Sequence, residues 1–171
     1  AAALREAGCT HLRIGVVTGD DVLAILKSRA ADPMFKNMET GEPLSSMLDR
    51  IFTANAYFGS APIVDALAAG ADIVITGRTA DPSLVAAPAI YHYGWGWDQH
   101  DAIAGALIAG HVIECGAQVT GGISTNWLDV PGVATIGFPF VEIEDDGSFV
   151  VTKPEGSGGC VTLTTVGVRN L

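Results

Sequence analysis

The chain has 171 residues, 49% hydrophobic and 16% charged, with 21 glycines and a formal net charge of −10. That length supports one ordinary core of roughly 150 residues, and the composition excludes a disordered chain. The nine Lys and Arg are scattered, which excludes a nucleic-acid partner of the kind that needs a positive stripe to displace counterions.

"AAALREAGCT" (1–10) reads as the last turns of a helix closed by Gly8. At the other end, "TTVGVRNL" stops inside an apolar-periodic segment, so the chain is expected to be the middle portion of a longer one. "HLRIGVV" (11–17) predicts a strand bounded by Gly19, and Asp20 or Asp21 of "TGDD" can N-cap a helix carrying Val22, Leu23, Ile25 and Leu26. Residues 32–43 are loop-like, "LSSMLDRI" suggests a short helix and "FTANAYFG" a second strand. "SAPIVDALAAG" (60–70) predicts a helix with Ser60 as N-cap, Pro62 in its first turn and Gly70 just past its end. "ADIVITG" (71–77) predicts a third strand, apolar through Ile73, Val74 and Ile75.

Two more helices are expected, one in "DPSLVAAPAIYHYGW" after a cap-like Asp81-Pro82 and one in "WDQHDAIAGALIAGHVIECG" (97–116) capped by Asp98. The texture then becomes turn-rich, and "FVEIEDDGSFVVTK" predicts a β-hairpin turning at Asp145-Asp146-Gly147. "PEGSGG" leads towards one more helix. Apolar strands alternating with helices predict an α/β fold: a mainly parallel sheet with helices on both faces, plus the hairpin near 140–152. Residues 1–116 and 117–171 are read as the alternating and turn-rich parts of one larger domain.

Cys9, Cys115 and Cys160 are widely spaced, which fits a reducing compartment rather than a disulfide scaffold. No apolar run reaches the ~18 residues of a membrane span, and no signal peptide is recognisable. The expectation is a cytoplasmic protein without membrane or nucleic-acid partners.

Three strand-to-helix turns carry polar clusters: "TGDD" (18–21), "TANAYFGS" (53–60) and "TGRTADPS" (76–83). Such turns are where open α/β sheets place ligands. Gly77 lets backbone approach a ligand, with Thr79 beside it, and Arg78 offers a planar fork for a carboxylate or phosphate. The plainer alternative has Asp81 acting only as a cap and Arg78 pairing with Asp81 or Asp72. One of Asp20 and Asp21 is expected to serve as a cap and the other to act on a substrate hydroxyl or a metal, with Asp21 and Asp81 the candidate ligands of a divalent ion.

On a helical wheel with Ile103 at zero, Glu114 falls near 20° and His111 near 80°, at about 100° per residue. The pair thus shares an apolar sector, where a His–carboxylate set can perform acid–base work or simply be hydrogen-bonded in a core. Cys115 reads as a small hydrophobe rather than a nucleophile. In "KPEGSGG" (153–159), Lys153 with Gly158 and Gly159 could turn N–H groups to an anion, or form only a flexible turn. No nucleotide-binding glycine spacing is present, so the cofactor is left open apart from the metal.

"GDD", "ANAYFGSAPIVDALAAGADIVITGRTADPSL", "HYGWGWD", "AGHVIECGAQVTGG" and "GFPFVEIEDDGSFVVTKPEGSGG" resemble, in order, the acyclic terpene utilisation protein A family. The resemblance implies a role in bacterial catabolism of acyclic terpenes such as citronellol and geraniol, through coenzyme A thioesters and a geranyl-CoA carboxylase. It carries over no catalytic residues. The first reading is an enzyme acting on a small carboxylate or acyl-CoA ester, as a hydratase or lyase, with Asp20, His111 and Glu114 catalytic. The second is a non-catalytic subunit or binding module supporting an acyl-CoA carboxylase pathway. A homo-oligomer or pathway complex is the expected assembly, and a nucleotide-binding regulator ranks last.

Overall fold

A computed structural model describes residues 2–167, which fall into two compact units, Ala1–Thr79 and Ala80–Leu171.

The first unit opens with helix α1 (Ala2–Glu6) and strand β1 (Ile14–Val17), followed by helix α2 (Leu23–Ser28). Helix α3 (Ala61–Ala68) then leads into strand β2 (Ile73–Thr76), which pairs parallel with β1 from Ile14↔Ile73 to Val17↔Thr76. The close approach of α3 explains Gly15, where a Cβ would sit 3.2 Å from the Ala66 methyl and 3.0 Å from that of Ala71. Gly70 ends α3 as expected. At φ +85°, its N–H bonds to the Leu67 carbonyl and that of Ala71 to the Ala66 carbonyl, the paired bonds of a Schellman close.

Three expectations for this unit change. The parallel sheet among the described residues has two strands rather than a wide array, so the mainly parallel sheet is not what forms. Helices do not cover both faces either: α3 packs on one, while Val16 and its register partner Ile75 on the other are 63% and 53% exposed. The "FTANAYFG" strand is reduced to single bridges, Asp21↔Asn55 and Phe58↔Thr79, because the segment joins the two strand-end turns instead of running beside a strand. "LSSMLDRI" forms two 3-10 turns, Leu44–Ser46 and Leu48–Arg50, in place of a helix.

The second unit holds most of the fully buried apolar residues. Helices α4 (Ser83–Tyr93) and α5 (His100–Ile113) pack through Ala86, Ala87, Ala89, Ala102, Ala106 and Ala109. Methyl-sized side chains let helix backbones come close, and two glycines bring them closer still. A Cβ at Gly110 would lie 2.6 Å from the Pro82 carbonyl oxygen, and one at Gly105 2.1 Å from that of Gly147. Gly147 turns the predicted hairpin, strands β3 (Phe140–Ile143) and β4 (Phe149–Thr152), antiparallel with Val141↔Val151. The aromatic loop after α4 fastens that hairpin: the Tyr93 hydroxyl donates to the Ile143 carbonyl and the Trp95 indole to the Asp145 carbonyl at 2.8 Å. Tyr93 stacks on buried Trp95 at 5.2 Å. A short helix α6 (Leu163–Gly167) follows the glycine-rich turn.

The expected side-chain caps do not form. Ser60 and Pro82, at the cap positions of α3 and α4, already have helical φ/ψ, whereas a capping residue needs an extended backbone to turn its side chain onto the first turn. Asp81 therefore sits outside the helix, and its side chain makes no hydrogen bond among the described residues. Asp98 does not cap α5 either, since Gln99 holds that position.

Gly105→Ala tests the α5–hairpin packing. An added methyl gains about 1 kcal/mol of helix propensity, but the overlapping group is backbone and cannot swing aside. A net loss of about 1–3 kcal/mol is expected in urea denaturation.

Candidate functional site

The polar turns singled out in the sequence meet in the first unit. Strand β1 ends at Val17 and β2 at Thr76, and their parallel pairing puts the following turns side by side. Residues 54–58 strap them together: Val22 N–H donates to Ala54 O and Ala56 N–H to Asp20 O, then Phe58 N–H donates to Arg78 O. The Thr79 hydroxyl adds a bond to the Phe58 carbonyl at 2.9 Å.

Asp20 lies at the centre of this arrangement. One carboxylate oxygen accepts the Arg78 backbone N–H and the Asn55 side-chain amide, each at 2.9 Å. The Arg78 N–H first, and the Asn55 amide after it, hold the Asp20 carboxyl below its usual pKa against an opposing effect of partial desolvation. The other oxygen explains Gly77: a Cβ there would fall 1.9 Å from it. The room next to Gly77 is thus filled by Asp20.

Asp21, exposed beside it, accepts the Leu23 N–H at 3.0 Å. Neither aspartate is the N-cap expected of the pair, since Val22 holds that position; Asp21 makes a local turn before α2, and Asp20 bonds across to the turn after β2.

Arg78 is exposed, and its guanidinium carbon lies 5.9 Å from the centre of the Tyr57 ring, within cation–π range. The ion pairs among the described residues are Arg13–Asp72, Arg29–Asp32 and Arg50–Glu42. Asp72, one partner foreseen for Arg78, is therefore taken by Arg13, and the Arg78 fork is left facing outward without a carboxylate among the described residues. Asn55 and Tyr57 were not singled out from the sequence. Their signal was the polar turn "TANAYFGS", which marks a site without saying which side chains point into it.

The remaining candidates lie in the second unit. His111 on α5 and Glu114 at its C-terminal cap are both exposed. The wheel reading placed them on the buried side, but the buried sector of α5 is its Ala/Gly face, through Ala102, Ala106, Ala109 and Gly110. Glu114 accepts the Cys115 thiol at 3.0 Å.

In the glycine turn, Lys153 Nζ donates to the Ser157 carbonyl at 2.7 Å. The Gly158 N–H donates to Thr135 O and that of Gly159 to Pro131 O. Those N–H groups are committed to backbone carbonyls, which leaves a tightly threaded turn where an anion cradle was an alternative. For the metal reading of Asp21 and Asp81, no group of three His, Cys, Asp or Glu side chains close enough to hold an ion occurs among the described residues.

The family described as acyclic terpene utilisation family protein AtuA matches residues 1–170. No curated protein and no solved structure matches the chain.

Two measurements test the Asp20 junction. Because its folded pKa is depressed, its contribution is full above the ordinary value of 3.8 and is lost as pH falls through the lower folded value. The melting temperature of Asp20→Asn should therefore lie below wild type at neutral pH, and the two should converge in acid. Gly77→Ala should destabilise the wild type but have little effect in an Asp20→Ala background, where the methyl has room; a double-mutant cycle reads this coupling.

Proposed function

The chain belongs to the acyclic terpene utilisation family AtuA, and from that premise we propose that it acts in the catabolism of acyclic terpenes or related acids on a small carboxylate or acyl-CoA ester. The observation that carries this reading is Arg78, an exposed guanidinium beside Tyr57 and outside every ion pair among the described residues. Its backbone is pinned by Asp20 at the carboxyl end of a parallel strand pair. A guanidinium with such fixed attachment suits two-point binding of a carboxylate or a phosphate oxygen pair. Tyr57 favours the charged fork in place and offers an apolar surface to the adjoining part of a ligand.

The reaction class proposed is hydration or elimination next to a carbonyl. It requires a group that moves a proton at the carbon adjacent to the held carboxylate or thioester. Asp20 is poorly suited, because two hydrogen bonds keep it ionised and occupy one oxygen. Its role is to fix the turn that presents Arg78. His111 and Glu114, one helical turn apart at the end of α5, are a separate acid–base proposal that concerns the second unit by itself. Work inside the cytoplasm, as a homo-oligomer or in a complex of pathway enzymes, completes the reading. No helix among the described residues is long and apolar enough to cross a membrane.

The purified full chain, assayed with branched acyl-CoA esters and free acids with and without Mg²⁺, tests the assignment. Arg78→Gln should raise KM by about 10- to 100-fold, the value of a charged hydrogen-bonded contact, with a smaller change in kcat. Unchanged kinetics in Arg78→Gln would remove the anion-holding role, and unchanged kinetics in His111→Ala would remove the proton-transfer role alone.

A further inference from the structure

Away from the strand-end junction, the first unit contains an apolar pocket of about 190 Å³, open to the surface and lined by Leu26, Phe35, Leu44 and Met47, with Lys36 and Asn37 at its edge. Helix α2 supplies Leu26 and residues 35–44 fold back to supply the opposite wall. Hydrogen bonds within the segment hold that fold-back. Leu44 N–H donates to Phe35 O, Asn37 N–H to Glu42 O, and the Asn37 side chain accepts the N–H groups of Glu39 and Thr40.

Both ends are fastened as well. Arg29 lies 5.2 Å from the Phe35 ring centre while paired with Asp32 at 2.7 Å, and Arg50 reaches Glu42 at 3.4 Å. Leu44 is buried, whereas Leu26, Phe35 and Met47 are half-buried and face the cavity. Walls fixed in advance reduce the ordering cost of binding.

Charge selects the occupant. Arg29 and Arg50 are neutralised by their acidic partners, but the Lys36 side chain is exposed and makes no hydrogen bond or ion pair among the described residues. An apolar slot with a single uncompensated ammonium at its edge matches an amphiphile with an aliphatic chain and an anionic head. Apolar cavities of about 150 Å³ hold a six-carbon ring, so this one has room for a chain of about six to eight carbons, branched or straight. We infer that the Leu26–Phe35–Leu44–Met47 cavity is a binding site for a short aliphatic carboxylate, its chain between α2 and the 35–44 fold-back and its carboxylate at Lys36. This goes beyond the Arg78 reading, which concerns a different cation and a different part of the unit.

Isothermal titration of the full chain with octanoate, isocaproate, octanol and acetate tests it. Octanoate and isocaproate should bind saturably and acetate should not. Met47→Trp, which fills the cavity, should weaken octanoate at least about tenfold, with circular dichroism and thermal melting confirming that the variant is folded. Lys36→Gln should weaken octanoate about three- to fivefold, the ceiling for an exposed ion pair, and leave octanol unchanged.

Leu26→Ala, which enlarges the cavity, should shift preference from octanoate towards decanoate, an effect that a merely destabilised variant would not produce. Failure of octanoate to saturate at millimolar concentration would overturn the inference. So would octanoate binding that survives Met47→Trp but is lost in Arg78→Gln, since that places the ligand at the strand-end junction. Equal loss of octanol and octanoate in Lys36→Gln would remove the anionic head from the proposal.

Discussion

A carboxylate that accepts a backbone N–H from a neighbouring turn fixes that turn more firmly than a contact between two flexible side chains could. Asp20 does this to Arg78, and nearly everything specific about the first unit depends on it. The bond needs β1 and β2 paired in register, so that the residue three past Val17 meets the residue two past Thr76. It needs Gly77, because any side chain there would occupy the carboxylate's volume. It also needs the 54–58 strap, which brings Asn55 to the same oxygen and Tyr57 beneath the guanidinium. Remove any one and the guanidinium remains, but the backbone that carries it is no longer held in this turn.

The second unit works by the opposite physics. Polar bonds such as those of Thr120 and Thr165 occur here too, but close approach of small residues sets the helix packing. Ala and Gly on α4 and α5 contribute modest hydrophobic area each, yet they bring backbones into a range where many weak dispersion contacts add up. The hairpin turn at Gly147 enters against Ala102 and Gly105, and the Tyr93 and Trp95 donors hold it by carbonyls of its own backbone. Tightly threaded glycines repeat the device further on. Gly158 lies against Gly132, where a Cβ would fall 1.9 Å from the Gly132 carbonyl oxygen. Gly158 and Gly159 of "KPEGSGG" are thus accounted for by close packing, and Gly156 by its φ of +75° alone.

Local signals were the most legible part of the sequence. β1, β2, α3 with its Gly70 close, and the 140–152 hairpin all lie where periodicity and turn chemistry put them. Each depends on neighbours a few residues away. The errors share a different cause. Whether "FTANAYFG" runs as a strand depends on whether a partner edge is offered, and the two turns it straps lie more than thirty residues before it and about twenty after. His111 and Glu114 fell on the wrong side because a wheel weights large aliphatics, while α5 buries its smallest residues. At the candidate site, the residue types in "TGDD" and "TGRTADPS" marked the place. The distinction between Asp20 as a bridge and Asp21 as a local turn needed the register of two strands, which no local pattern encodes.

The acidity of the chain bears on how such a site can work. With 19 Asp and Glu against nine Lys and Arg, the mean field opposes an approaching anion. That field is screened beyond roughly 8 Å at physiological ionic strength. An anion site on this background has to act at contact range, through hydrogen-bond geometry. In the proposed reading Arg78 meets that requirement, because Asp20 bonds to its backbone and no carboxylate among the described residues pairs with its guanidinium. The same carboxylate that adds to the repulsive total therefore orients the cation that overcomes it locally. Selectivity built this way rests on fit between the fork and its ligand more than on attraction from a distance, so it discriminates by shape among anions of equal charge.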